Sequence, residues 1–219
     1  QGFKDRYATI GSDLKSLQRF LKREKTIGCK IHAAFEISGQ AGYLYDHLVN
    51  YVESLHVVNP SKATWIYRTA KKNDRIDARK IAILLEIGEL PTVYMPNKEI
   101  RQWRQLILHR QKTVNKVGRV KNRIRALLKS EGHFRPAVEG GWWKKANRAW
   151  MEYLSQESDE GDTLWRLQLN NLLAELRMLE YQRDTATEYL DKRLANHSGS
   201  QLLMSIPGVG PRTTEAVLA

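Results

Sequence analysis

Apolar and polar positions follow two rhythms along this chain, and the change falls near Pro96. Before it, short apolar runs alternate with turn residues and with stretches of helical spacing. "RYATI" predicts a strand, with Gly11 and Ser12 as turn and helix cap. Asp13 to Glu24 then sets Leu14, Leu17, Phe20 and Leu21 along one side of a helix. "CKIHAAF" predicts a short buried strand ending at Glu36, and "SGQAG" a turn. Tyr43 to Val52 fits a second helix, "LHVVNP" a strand stopped by Pro60, and Ser61 the cap of a further helix. Strands alternating with helices predict an α/β domain over residues 1–95, with functional groups at strand ends.

After Pro96 the period is helical throughout. Asn97 to Lys129 predicts one long amphipathic helix, with Ile100, Trp103, Leu106, Ile107, Val114, Val117, Ile124, Leu127 and Leu128 as its apolar positions. "EGHFRPAVEGG" ends that pattern, and "SQESDEGD" reads as an acidic loop. From Trp165 a heptad-like series runs through Leu169, Leu172, Leu176, Leu179, Ala186 and Leu190. Arg183 interrupts it, which leaves a short helical hairpin and an intermolecular coiled coil both open. The expected fold class is therefore α/β plus all-α, with a helical connector over 96–198 and a further domain starting within 199–219.

Charge adds a partner to this picture. Lys and Arg number 36 against 24 Asp and Glu, a formal net charge of +12, which favours a polyanion such as nucleic acid. Between Lys98 and Lys129 there are eleven basic residues and one acid, Glu99. Arg110, Lys116, Arg119, Lys121, Arg123 and Arg125 are the expected phosphate contacts on that helix, unless the face packs against an acidic neighbour. Cys29 is the single cysteine, so an intrachain disulfide and a cysteine-cluster zinc site are excluded. The six histidines show no metal-ligand spacing. No apolar run approaches the roughly 20 residues of a membrane span, so a soluble, intracellular protein without membrane contact is expected. The chain opens on Gln1 and stops in "TTEAVLA", which reads as a helix still in progress, so further residues are expected on both sides.

Two stretches carry candidate chemistry. In "KKNDRIDARKIA" a helix beginning near Asp74 would put Asp74 and Asp77 on one face, and Glu36 stands at a predicted strand end. Such carboxylates can bind a divalent metal, or they can cap a helix and pair with Lys71, Lys72, Arg75, Arg79 and Lys80. In "SIPGVGPRTTEAVLA", Gly208 and Gly210 free the backbone to present amide N–H groups to a phosphate, or simply turn the chain between two helices. Ser205 there reads as a cap or turn residue, since no His or Asp is placed to activate it.

"FEISG", "VVNPSKA", "KKNDRIDARKIA", "LPTVYMP", "HRQKTVNKVGRVKNRIRALL" and "SIPGVGP" occur in an order that resembles the DEDD transposases of bacterial insertion sequences. That group includes pilin-gene-inverting and bridge-RNA-guided recombinases. The resemblance covers nearly the whole chain and is weakest from about residue 135 to 195. It implies an RNase H-like, RuvC-type domain, a helical middle, and a C-terminal transposase domain starting at the Ile-Pro-Gly hairpin of helix-hairpin-helix type. It further implies that Glu36, Asp74 and Asp77 match the second, third and fourth metal-binding acids, with Mg²⁺ as cofactor. The first acid is expected before Gln1, since neither Asp5 nor Asp13 has the strand context for it, and the nucleophilic serine after Ala219. Asn73 stands where the family motif more usually has Thr. The implied activity is DNA strand cleavage and rejoining through a serine–DNA ester, guided by a structured RNA. A homo-oligomer acting at the bacterial nucleoid in the cytoplasm is implied with it. Residues 1–219 alone are then expected to be inactive, and Lys71, Lys72 and Arg75 become a phosphate-facing rim. A RuvC-like structure-selective endonuclease and a non-catalytic nucleic-acid-binding protein remain the alternatives.

Overall fold

The computed structural model describes residues 8–11, 13–28, 30–59, 62, 74–156 and 163–219. Two compact units divide the chain, Gln1–Arg101 and Gln102–Ala219. Of the expected features, Asp5, Arg6, Tyr7, Ser12, Cys29, Pro60, Ser61, Lys71, Lys72, Asn73 and residues 157–162 of the acidic loop lie outside the described residues.

The first unit is built on a small mixed sheet. α1 (Leu14–Thr26) is capped by Asp13, whose carboxylate accepts the Ser16 amide at 2.9 Å. A carboxylate at this position satisfies an orphan amide and meets the positive helix end, which makes Asp a strong cap. The Ser16 hydrogen bonds hold the Asp13 carboxyl below the usual carboxylate range. Ala8 to Ile10, the described part of "RYATI", forms no strand.

β1 (His32–Glu36) is followed by α2 (Ala41–Leu48), a 3₁₀ turn (Val49–Tyr51) and β2 (Ser54–Val58). β1 and β2 are parallel, so a crossover must join them, and α2 with its 3₁₀ extension supplies it. Their register pairs His32 with Ser54 and Glu36 with Val58. β3 (Thr92–Val93) adds antiparallel to β2. Between them α3 (Asp74–Glu86) packs on the sheet: Ile81 and Leu84 bury against Val58, with Ala34 and Leu90 partly buried beside them. A buried Leu or Ile of this kind contributes about 1.5–3 kcal/mol.

α4 (Lys98–Ser130) is the expected long helix. Asn97 caps it by accepting the Ile100 amide at 2.9 Å. Its entry is tied down in the first unit by Arg101, whose guanidinium donates to Asp46 and to the carbonyls of Pro96 and Gly42.

The second unit is all helical. α4 buries Trp103, Thr113, Val117, Val120, Ile124 and Leu128, a spacing of three and four that keeps one stripe inward. Val114, expected in that stripe, is exposed, while Thr113 and Val120 are inside. α5 (Lys145–Gln156) and α6 (Thr163–Ala195) complete a core around Ile124, Leu128, Met151, Leu169 and Leu176. Arg183 interrupts the buried apolar series between Leu179 and Ala186, yet α6 runs through it as one helix. The Arg183 guanidinium pairs with Asp184 at 2.7 Å. α4 and α6 run antiparallel: Arg110 meets Thr187, Lys121 meets Glu180, and Arg123 meets Glu175. α7 (Ser200–Met204) and α8 (Pro211–Leu218) form the terminal hairpin, held to α6 by Arg212, which bonds Asp191 and, at 2.8 Å, Glu215.

Candidate active site and nucleic-acid interface

Glu36 closes β1 and is exposed there. Asp74 opens α3 and Asp77 follows three residues later, on the same face and in the first turn, where the helix dipole favours negative charge. Because α3 lies along β1, these three acids line one cleft of about 590 Å³ together with His32, Ala34, Phe35, Ala78 and Ile81. The strand end and the helix start thus put the three carboxylates singled out from sequence on the lining of one cleft. Among the described residues no three His, Cys, Asp or Glu side chains are grouped closely enough to hold a metal ion. The cleft therefore presents its carboxylates along a wall, not as a closed cage. The donor set itself, three hard carboxylate groups, is of the type that suits Mg²⁺ or Mn²⁺. Arg75, Arg79 and Lys80 stand on the same helix, with Asp74 and Asp77 between and before them.

The basic residues of α4 divide by what they touch. Lys121 is half-buried, 3.2 Å from Glu180 and over the ring of Trp143 at 5.0 Å. Arg110 donates to Thr187 at 2.8 Å, Arg123 reaches Glu175 at 3.2 Å, and Arg125 bonds Asn122. Lys112, Lys116 and Arg119 are exposed, and they form the outward cationic stretch of the helix. The acids that α4 meets come from α6, a neighbour that charge counting along the sequence does not reveal.

Glu180 is the centre of that pairing. Arg148 grips it with two hydrogen bonds of 2.6 and 2.7 Å, and Lys121 adds a third cationic contact. These bonds, Arg148 first, outweigh desolvation and hold the Glu180 carboxyl at about 2 against an ordinary 4.5.

In the hairpin, Gly208 has a φ of 85°, a left-handed conformation that glycine adopts without strain, and Gly210 precedes α8 with Pro211 at the first helical position. The Gly210 carbonyl accepts from Thr213 and Thr214, which closes the first turn. The Ser205 hydroxyl donates to the Leu202 carbonyl at 2.8 Å, as a turn residue does.

Two groupings were not legible in sequence. Asn147 is fully buried and makes three hydrogen bonds of 2.8 Å to the backbone of Val138 and Gly141. His32 and His56 both approach Ser54, a meeting set by the parallel register and by nothing in the local spacing.

No helix among the described residues is long and apolar enough to cross a membrane. No curated protein matches the chain. The family model for DEDD transposases of the IS110 type, described as Transposase, matches residues 3–132. That span is more than half of the 219 residues and takes in Glu36, Asp74, Asp77 and the whole of α4. The chain belongs to the IS110-type DEDD transposase family, and DNA is its partner.

Proposed function

We propose that this protein is an insertion-sequence recombinase that cleaves and rejoins DNA in a Mg²⁺-dependent reaction, with a structured RNA guiding target choice and a serine as nucleophile. The observation that carries the reading is the single cleft lined by Glu36, Asp74 and Asp77. In this reading residues 1–95 are an RNase H-like, RuvC-type domain, 96–198 a helical connector that helps assemble a homo-oligomer, and 199–219 the start of a transposase domain opening with a helix-hairpin-helix turn. The protein works at the nucleoid. The family's first acid and its serine are assigned to no residue from Gln1 to Ala219.

Glu36, Asp74 and Asp77 would hold the metal, which supplies Lewis-acid polarisation of the phosphoryl group. The chain's own groups do the rest. Arg75, exposed in the first turn of α3, and Lys71 and Lys72 before it in the sequence offset the charge of a phosphodiester that approaches three carboxylates. Lys116, Arg119 and their neighbours on α4 contact backbone phosphates and carry no sequence information, consistent with base pairing to an RNA as the source of specificity. Gly208 and Gly210 leave room for a backbone phosphate against the amides that open α8.

Asp77→Ala in the full-length protein should abolish recombination while nucleic-acid affinity changes little. A recombination assay on paired element ends, run beside a filter-binding titration, separates the two. Wild-type recombination by Asp77→Ala would remove the acids from the mechanism.

A further inference from the structure

The cleft lined by the acids reaches His32, and a second cavity of about 700 Å³ opens there. The two share His32, Ala82 and Leu85, so they are continuous along β1 and α3. Lys30, Ser54, His56 and Glu86 line the second one. The register explains the meeting. His32 lies beside Ser54, and Ala34 beside His56, so His32, Glu36, Ser54 and His56 project from one face of the sheet.

Ser54 Oγ is 2.8 Å from His32 Nδ1 and 3.1 Å from His56 Nε2. A hydroxyl has one hydrogen to donate and lone pairs to accept, so it can bond both rings when they present complementary nitrogens. This fixes both imidazoles and occupies one nitrogen of each. His32 Nε2 and His56 Nδ1 have no hydrogen-bond partner among the described residues. The ring that accepts the Ser54 hydrogen presents N–H on its other nitrogen, and that N–H and the Lys30 ammonium on the same lining are donors of the kind that take phosphate oxygens; Glu86 is the one acid among these lining residues. His32 and Glu36 are separated by four strand residues, about 13 Å, which is the rise of about four stacked nucleotides. One strand of nucleic acid can therefore reach from the carboxylates to this cavity.

We propose that Lys30, His32, Ser54 and His56 form a phosphate-binding position that holds the nucleic-acid backbone a few nucleotides from the carboxylates. It rests on the reading of the cleft as a nucleic-acid site and adds a second anchoring point to it. The test follows the histidine ring signals of the full chain by NMR, with inorganic phosphate and a single-stranded DNA oligonucleotide as separate probes. Both probes should shift His32 and His56, and His32→Gln/His56→Gln should weaken oligonucleotide binding roughly five-fold, the worth of one or two hydrogen bonds. Ser54→Ala keeps both rings but frees them, and should also weaken binding. It supplies the affinity comparison if the double variant does not fold. Ring signals that neither probe moves, or an affinity unchanged in the variants, overturn the proposal. Signals moved by phosphate alone make the cavity a site for a small phosphate compound and overturn it as a backbone position. Recombination by Asp77→Ala is read separately from these signals, so failure of the metal reading and failure of this one are distinguishable.

Discussion

Asn147 shows how much one buried amide can hold. Its side chain accepts the Val138 amide and donates to the Val138 and Gly141 carbonyls, so it pins the loop between α4 and α5 from inside. Asn147→Ala leaves three backbone groups without this partner, and those that water cannot reach cost the most. The expected loss is about 2–4 kcal/mol in the second unit, measurable as a lower midpoint in denaturant. Glu180 sets a pH window instead. Its pKa is depressed on folding, so the stability that it contributes is fully present above 4.5 and is lost as pH falls towards about 2. Discounted for partial solvation, that contribution is on the order of 2 kcal/mol. Glu180→Gln should lower stability at pH 7 and flatten the fall between pH 4.5 and 2, checked by unfolding titrations across that range. An equally steep fall in the variant would move the effect to another carboxylate.

At the scale of elements, α4 is both a core helix and a cationic surface, and its residues are partitioned between those tasks. Lys121 and Arg123 are engaged with α6, whereas Lys112, Lys116 and Arg119 face outward. Charge reversal along Arg119, Lys121, Arg123 and Arg125 should flatten the salt dependence of nucleic-acid binding, at a cost in folding from the two paired positions. Neutralising Lys112, Lys116 and Arg119 to Gln should flatten it without that cost, by up to about 0.9 in logarithmic slope for each phosphate left unneutralised. An unchanged slope with intact stability would return α4 to a solvated helix face. The helical elements were the most legible part of the chain, because a stripe repeated over about nine turns averages out local exceptions such as Val114 and Arg183. Ala8 to Ile10 form no strand, and so short a run of strand-like composition carries no period long enough to test.

For the whole molecule, the carboxylate cleft was legible only through ordered motifs. Asp74 and Asp77 share a helix face by spacing, but Glu36 joins them through the packing of α3 on β1, which no local pattern encodes. The same is true of His32 and His56, brought to Ser54 by strand register. Long-range meetings of this kind depend on the crossover through α2 and on the sheet order, so single-element reasoning stops short of them. What sequence did convey at this scale was charge: a surplus of +12 on a chain whose family acts on DNA.

The grip of Arg101 on the carbonyls of Pro96 and Gly42 has an evolutionary consequence. A Cβ placed on Gly42 would come within 2.6 Å of Arg101 Nε, and the guanidinium, held by its acceptors, has little freedom to yield. The two positions should therefore drift as a pair. Relatives with a bulkier residue at 42 should carry a shorter one at 101, and they should then have lost the acid at 46 as well. Relatives in which 42 enlarges while Arg101 and Asp46 persist would show that the entry of α4 tolerates more movement than this clasp allows.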